Sequence, residues 1–118
     1  FRPRPRVDAR AALGLVPDGA LVLVVGHLIP RKDPLLALEV FRRGAPANAR
    51  IAFIGQGPLA RELRAAVDAG GLEQRVVWRD AATAAELSAW YAASDVLLLT
   101  SQREGRPNVV LEALSSGR

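Results

Sequence analysis

Short runs of Val, Leu and Ile alternate along this chain with longer segments whose apolar residues recur at helical spacing, and this alternation narrows the fold more than any other feature. Ala20 to Val25 is a continuous apolar run closed by Gly26, and Arg50 to Ile54 is a second strand, apolar after its first residue and closed by Gly55. Val76 to Trp78 and Val96 to Leu99 repeat the pattern. Runs without polar alternation suit strands buried on both faces, so the expectation is an α/β fold with a doubly wound parallel sheet.

The segments between the runs carry their own start and stop signals. Asp33-Pro34 pairs an N-cap residue with proline at the first turn, opening a helix over Leu35 to Arg43 before Gly44. Leu59, Leu63, Ala66 and Val67 form one stripe that ends at Gly70-Gly71. Thr83 and Glu86 make a capping box ahead of Leu87, Trp90 and Tyr91, and Trp78, Trp90 and Tyr91 read as core. Asp8 to Leu13 is a short helix joined by Gly14 to a turn at Asp18-Gly19, and a last helix is expected from Pro107 to about Ser116.

In the commonest doubly wound order, 3-2-1-4, the first strand lies beside the fourth, and ligands bind past the C-terminal ends of the strands where the order reverses. The loops at that point run from Gly26 to Asp33 and from Thr100 to Arg106. Residues far apart in sequence, His27, Arg31, Lys32 and Glu104, would then face one crevice.

Composition removes several function classes. The 118 residues, half of them hydrophobic, suffice for one domain with a moderate core. No apolar run approaches the ~20 residues of a membrane span, and the start Phe1-Arg2-Pro3 does not read as a signal peptide, so a soluble, cytoplasmic setting is expected. With no cysteine and one histidine, His27, there is neither a disulfide framework nor a cluster for zinc, and no metal is expected. The net charge of +4 owes most to Arg2, Arg4 and Arg6. Pro3 and Pro5 interrupt that arm, so residues 1–6 read as an extended linker into a domain over 7–118, and no nucleic-acid partner is expected.

Glu104 and Glu112, eight residues apart, straddle the helix start expected at Pro107. For an arbitrary pair of this spacing, solvated charge is the ordinary meaning. Here Glu104 would stand in the loop beside unpaired helix N–H groups, with Glu112 more than one turn inside. Ionised carboxylates only accept hydrogen bonds, so sugar and ribose hydroxyls are natural donors to them, while a helix N-terminus attracts phosphate.

Four ordered motifs extend this reading: Val25-Gly26-His27-Leu28-Ile29-Pro30-Arg31-Lys32, Phe53-Ile54-Gly55-Gln56-Gly57-Pro58-Leu59, Tyr91-Ala92-Ala93-Ser94-Asp95-Val96, and Glu104-Gly105-Arg106-Pro107-Asn108-Val109-Val110-Leu111-Glu112-Ala113. From about residue 7 to the end, the chain resembles the C-terminal, nucleotide-sugar-binding domain of retaining GT-B glycosyltransferases, the group that includes glycogen-synthase-like and mannosyltransferase enzymes. The resemblance implies a single Rossmann-like domain of a GT-B fold, incomplete at its C-terminus, that binds a UDP- or GDP-sugar without an essential metal or cofactor. It also implies a missing N-terminal acceptor domain and inactivity of this piece alone, and it leaves room for peripheral membrane association of the full-length enzyme.

Site roles follow from the same resemblance. Lys32, with Arg31 beside it, would hold the donor diphosphate; Glu104 would contact hydroxyls of the transferred sugar and Glu112 the nucleotide ribose. Backbone around Gly105 and Arg106, continuing into Pro107 and Asn108, would approach sugar and phosphates. Gln56 and Gly57 would lie on the nucleotide side, with base contacts near Arg79. No catalytic residue is assigned. The chain departs from the family in having His27 where arginine is usual, Asp33 where glycine is common, and Arg106 where an aromatic or leucine often stands. Those first two departures motivate the alternative, a non-catalytic nucleotide-binding or interaction module that kept the fold.

Overall fold

A computed structural model describes residues 5–103 and 106–113, with the backbone alone for residues 102, 103, 106, 107 and 113. Helix α1 (Arg6–Leu13) leads to β1 (Leu21–Val25), α2 (Pro34–Gly44), β2 (Arg50–Ile54), α3 (Ala60–Ala69), β3 (Val76–Arg79), α4 (Ala84–Ala93), β4 (Val96–Arg103) and β5 (Arg106–Ala113). The sheet order is β3-β2-β1-β4-β5. The first four strands are parallel, as the apolar runs require, in the expected 3-2-1-4 arrangement.

The central strands show why those runs lack alternation. Ile51 and Phe53 of β2 point into one cluster with Leu38 and Phe41 of α2 and Leu63 and Val67 of α3. Their neighbours Ala52 and Ile54 point into the opposite cluster, with Leu21 and Leu23 of β1 and Trp90 of α4. A polar residue at any of these positions would meet apolar packing on either face. Burying a side chain the size of Phe53 or Ile51 contributes about 1.5–3 kcal/mol.

Local signals hold at most element ends. Asp33 caps α2 by accepting from the Leu36 N–H at 3.1 Å. At α4 both halves of the capping box form, Thr83 N–H to Glu86 at 2.8 Å and Glu86 N–H to the Thr83 hydroxyl at 3.1 Å. The Thr83 bonds hold the Glu86 carboxyl below its usual range. Trp90 is buried, and half-buried Trp78 stacks on Phe53 with ring centroids 5.5 Å apart.

Beneath the sheet, buried Arg10 docks α1. Its guanidinium donates to the Ala93, Pro17 and Gly19 carbonyls at 2.8–2.9 Å and to Asp95 at 2.9 Å. Asp95 also accepts from the Leu21 N–H at 2.8 Å and from Arg6. Burial pushes the Asp95 carboxyl up, but the Leu21 N–H and the two arginines outweigh it and leave its pKa lowered. The base of β4 is thus pinned before the strand begins.

The last element differs from the sequence expectation. Residues 106–113 form a strand antiparallel to β4, where a helix was expected from Pro107. Leu98, Leu99 and Thr100 pair with Leu111, Val110 and Val109. Two adjacent β-branched valines favour a pleated partner over a helix. Proline, which had marked a helix start, is equally at home on an edge strand, and β5 is the sheet edge. The wholly parallel sheet of the sequence reading is therefore a mixed one. Leu114, Ser115 and Ser116, the end of the expected helix, lie outside the described residues.

Candidate functional site

The C-terminal ends of β1, β2 and β3 are stitched into one shelf. The Gly26 N–H donates to Ile54 O at 3.0 Å, Gly55 N–H to Arg79 O at 2.8 Å, and Leu28 N–H to Gln56 O at 3.1 Å; the Leu59 N–H returns to Leu28 O at 3.0 Å. This contact explains two of the glycines. A Cβ on Gly55, whose φ is +150°, would stand 1.9 Å from Gly26 O, and one on Gly57 would stand 2.6 Å from Leu28 O. The Gly55-Gln56-Gly57 turn is first a close-packing device.

Two clefts open on this shelf. One, of about 200 Å³, lies between β1 and β4 and is lined by His27, Lys32, Pro34, Leu99, Thr100 and Ser101 among others. The other, of about 210 Å³, lies over β1, β2 and the loop after β3, where His27, Gln56, Asp80, Ala82 and Leu87 contribute. His27 borders both. The first cleft is the crevice expected at the point where the strand order reverses.

Its floor and cationic wall come from a short loop. After Ile29 the chain makes a 3₁₀ turn, Pro30–Lys32, and then Asp33 adopts the left-handed conformation, φ 48° and ψ 61°. Among the described residues Asp33 alone, other than glycines, has positive φ. The glycine common there in the family of the resemblance would take this conformation freely; aspartate tolerates it and adds the cap on α2. That cap puts a carboxylate at the helix N-terminus, where a phosphate would otherwise meet free N–H groups.

The structure brings some expected residues together and separates others. His27 and Lys32 face the first cleft, and Gln56 joins His27 at the second. Arg31 is exposed on the 3₁₀ turn beside Lys32 and lines neither cleft. Gly57 lies against the Leu28 backbone and lines neither cleft. Arg79 folds back on its own layer, its guanidinium 5.5 Å from the Trp90 ring centroid and donating to Trp78 O at 2.8 Å, while its carbonyl is taken by Gly55. Glu104 and Gly105 lie outside the described residues. Arg106 and Pro107 open β5, and Asn108 follows, exposed, paired with Ser101.

Glu112 stands apart from the residues that line the crevice. It pairs with Leu97, which itself pairs with Leu23 at the middle of β1, so the descending strand carries it away from the crevice. At roughly 3.4 Å per residue, the three steps from Val109 to Glu112 amount to about 10 Å. Thr100, Ser101 and Asp80 were not singled out in sequence, although the first two lie in the loop expected at the crevice; Thr100 follows directly on an apolar run and Ser101 and Asp80 stand one residue further on, so reading the first two positions after each run as crevice-lining would have found them. Among the described residues no His, Cys, Asp and Glu converge in a group of three or more that could hold a metal, and no helix is long and apolar enough to cross a membrane.

Comparison with known proteins agrees with this geometry. Residues 19–118 match the family described as Glycosyl transferases group 1. The chain is 35% identical to a D-inositol 3-phosphate glycosyltransferase of Frankia alni and 32% identical to one of Nocardia farcinica, each match covering 99% of this chain. It spans only 31% and 28% of those relatives' lengths. Among solved structures, the C-terminal domain of a glycosyl transferase group 1 family protein (LpcC) from Francisella tularensis superposes with a TM-score of 0.71 at 20% identity, over 88% of this chain and 57% of that one. Anabaena HepE in complex with UDP gives a TM-score of 0.72 at 22% identity, over 83% of this chain and 27% of that one. The chain belongs to the glycosyl transferases group 1 family, and its fold is the Rossmann-like C-terminal domain of a GT-B glycosyltransferase.

Proposed function

We propose that this chain is the donor-binding part of a retaining glycosyltransferase and that the cleft between β1 and β4 receives the diphosphate of a UDP- or GDP-sugar. The observation that carries the reading is the convergence of Lys32 and His27 with Thr100 and Ser101 at the strand-order reversal. Lys32 supplies a mobile point charge for phosphate, with Arg31 close enough in sequence to add to the local field. The Ser101 hydroxyl is carried on the same wall, while that of Thr100 is turned to the Lys32 and Asp33 carbonyls. The neighbouring cleft, with Gln56 and the backbone after Arg79, suits the nucleoside, and the complex of HepE, a protein of the same fold, with UDP supports nucleotide binding by this domain. Glu104 remains the proposed partner of the transferred sugar.

During transfer the bond from the anomeric carbon to the diphosphate breaks, and negative charge grows on the leaving group. Cations fixed beside it stabilise that charge more in the transition state than before it. Glycosyl acceptor and any proton-transfer group belong to the domain that the chain does not span, so binding without turnover is expected. Calorimetric titration with UDP and GDP tests the reading: saturable binding of one of them is expected, weakened about tenfold in Lys32→Ala, the loss of one charged phosphate contact. A folded chain that binds neither nucleotide overturns it.

Asp33 favours a second reading, that of a module which kept the fold with weakened phosphate affinity, because its carboxylate occupies the α2 N-terminus. In that case His27→Arg raises nucleotide affinity markedly, and unchanged affinity counts against it.

A further inference from the structure

Thr100 is buried, 5% exposed, at a level where β4 is rising out of the sheet core into the cleft. Its hydroxyl stands 2.9 Å from the Lys32 carbonyl oxygen and 2.9 Å from that of Asp33, and donates to this pair. The loop bearing Lys32 is therefore tied on two sides: by Leu28 to the β2 turn, through backbone bonds, and by Thr100 to β4, through one side chain. Between those ties lies the 3₁₀ turn, and the left-handed Asp33 stands at the second of them.

We infer that Thr100 is a positioning residue for the diphosphate site: by holding the Lys32 and Asp33 carbonyls it aims the Lys32 ammonium into the cleft. The inference rests on the donor-binding reading above. A β-branched residue suits the strand, and valine would serve there as well, so the hydroxyl is the part with a separate duty. The Asp33 carbonyl also accepts from the Ala37 N–H at 3.3 Å in the first turn of α2, so the Lys32 carbonyl is the one that depends on Thr100.

Thr100→Val removes the donor at nearly constant volume. For the full chain we expect the affinity for UDP or GDP to fall about five- to tenfold, the effect of one neutral hydrogen bond read through the position of a charge. Affinity for the parent nucleoside, uridine or guanosine, stays within about twofold, because the nucleoside cleft does not include this tie. Thr100→Ser keeps the donor and restores diphosphate affinity. Amide exchange at Lys32 and Asp33 quickens in Thr100→Val and not in Thr100→Ser. If the valine variant does not fold, Thr100→Ala deletes the same hydroxyl and is measured in its place. Equal losses for diphosphate and nucleoside, or unchanged diphosphate affinity in a wild type that binds, overturn the inference alone. A wild-type chain that binds neither UDP nor GDP overturns the donor-site reading and the inference with it.

Discussion

The two walls of the crevice are built on different principles. On the β1–β2 side, backbone meets backbone: Gly55 and Gly57 allow carbonyls of Gly26 and Leu28 to approach closer than any Cβ would permit, and hydrogen bonds close the shelf. On the β4–β5 side a ribbon rises past Thr100 with partners on one edge, and Leu99, Val109, Val110 and Leu111 stand 40–62% exposed. Up to Thr100, β4 belongs to the firm wall: Asp95 pins its base and Leu98 lies in the core. Rigidity in this domain follows steric exclusion at the shelf, while the ribbon depends on pairing with a single neighbour.

Substitutions at the shelf should be the most disruptive. Gly55→Ala forces a side chain into Gly26 O at a φ that L-residues rarely adopt; a loss of about 3 kcal/mol in urea denaturation is expected. A change below about 1 kcal/mol would show that the shelf yields easily and would erase the contrast between the walls.

Asp33→Gly sharpens the comparison within the firm wall. It relieves a left-handed backbone costing about 1 kcal/mol and gives up a cap of about the same worth, so stability should move by less than about 1 kcal/mol. UDP or GDP affinity should rise, since a carboxylate leaves the N-terminus of α2. A fall in affinity measured by calorimetry would mean that the cap shapes the site more than its charge opposes it.

The ribbon should be permissive. Val110→Lys places a charge on an edge strand already in contact with solvent, and the urea midpoint should shift by no more than about 0.5 kcal/mol in stability. A loss of several kcal/mol would mark Val110 as covered core. Smallest of all, Glu112→Ala should leave nucleotide affinity unchanged, because β5 carries that carboxylate to the far end of the strand. Weakened binding would show that residues 106–113 leave the strand when nucleotide is present and that the helix signal at Pro107 is used after all.

Sequence alone determined the four parallel strands, their order and most helix ends. In each case a side chain reports its own surroundings: a run such as Ile51 to Ile54 is apolar because both faces are buried, and Thr83 with Glu86 marks a helix start because both are needed to satisfy its first N–H groups. His27 and Lys32 were legible as crevice residues because their position follows from strand order. Tertiary structure decided what depends on a distant partner. Pro107 and Val109-Val110 carry signals for both helix and edge strand, and pairing with Leu98 to Thr100 selected the strand, taking Glu112 out of the crevice. The tie from Thr100 to Lys32 and Asp33 joins residues 68 and 67 positions apart, and a threonine at a strand end gives no sign in sequence of what its hydroxyl will find.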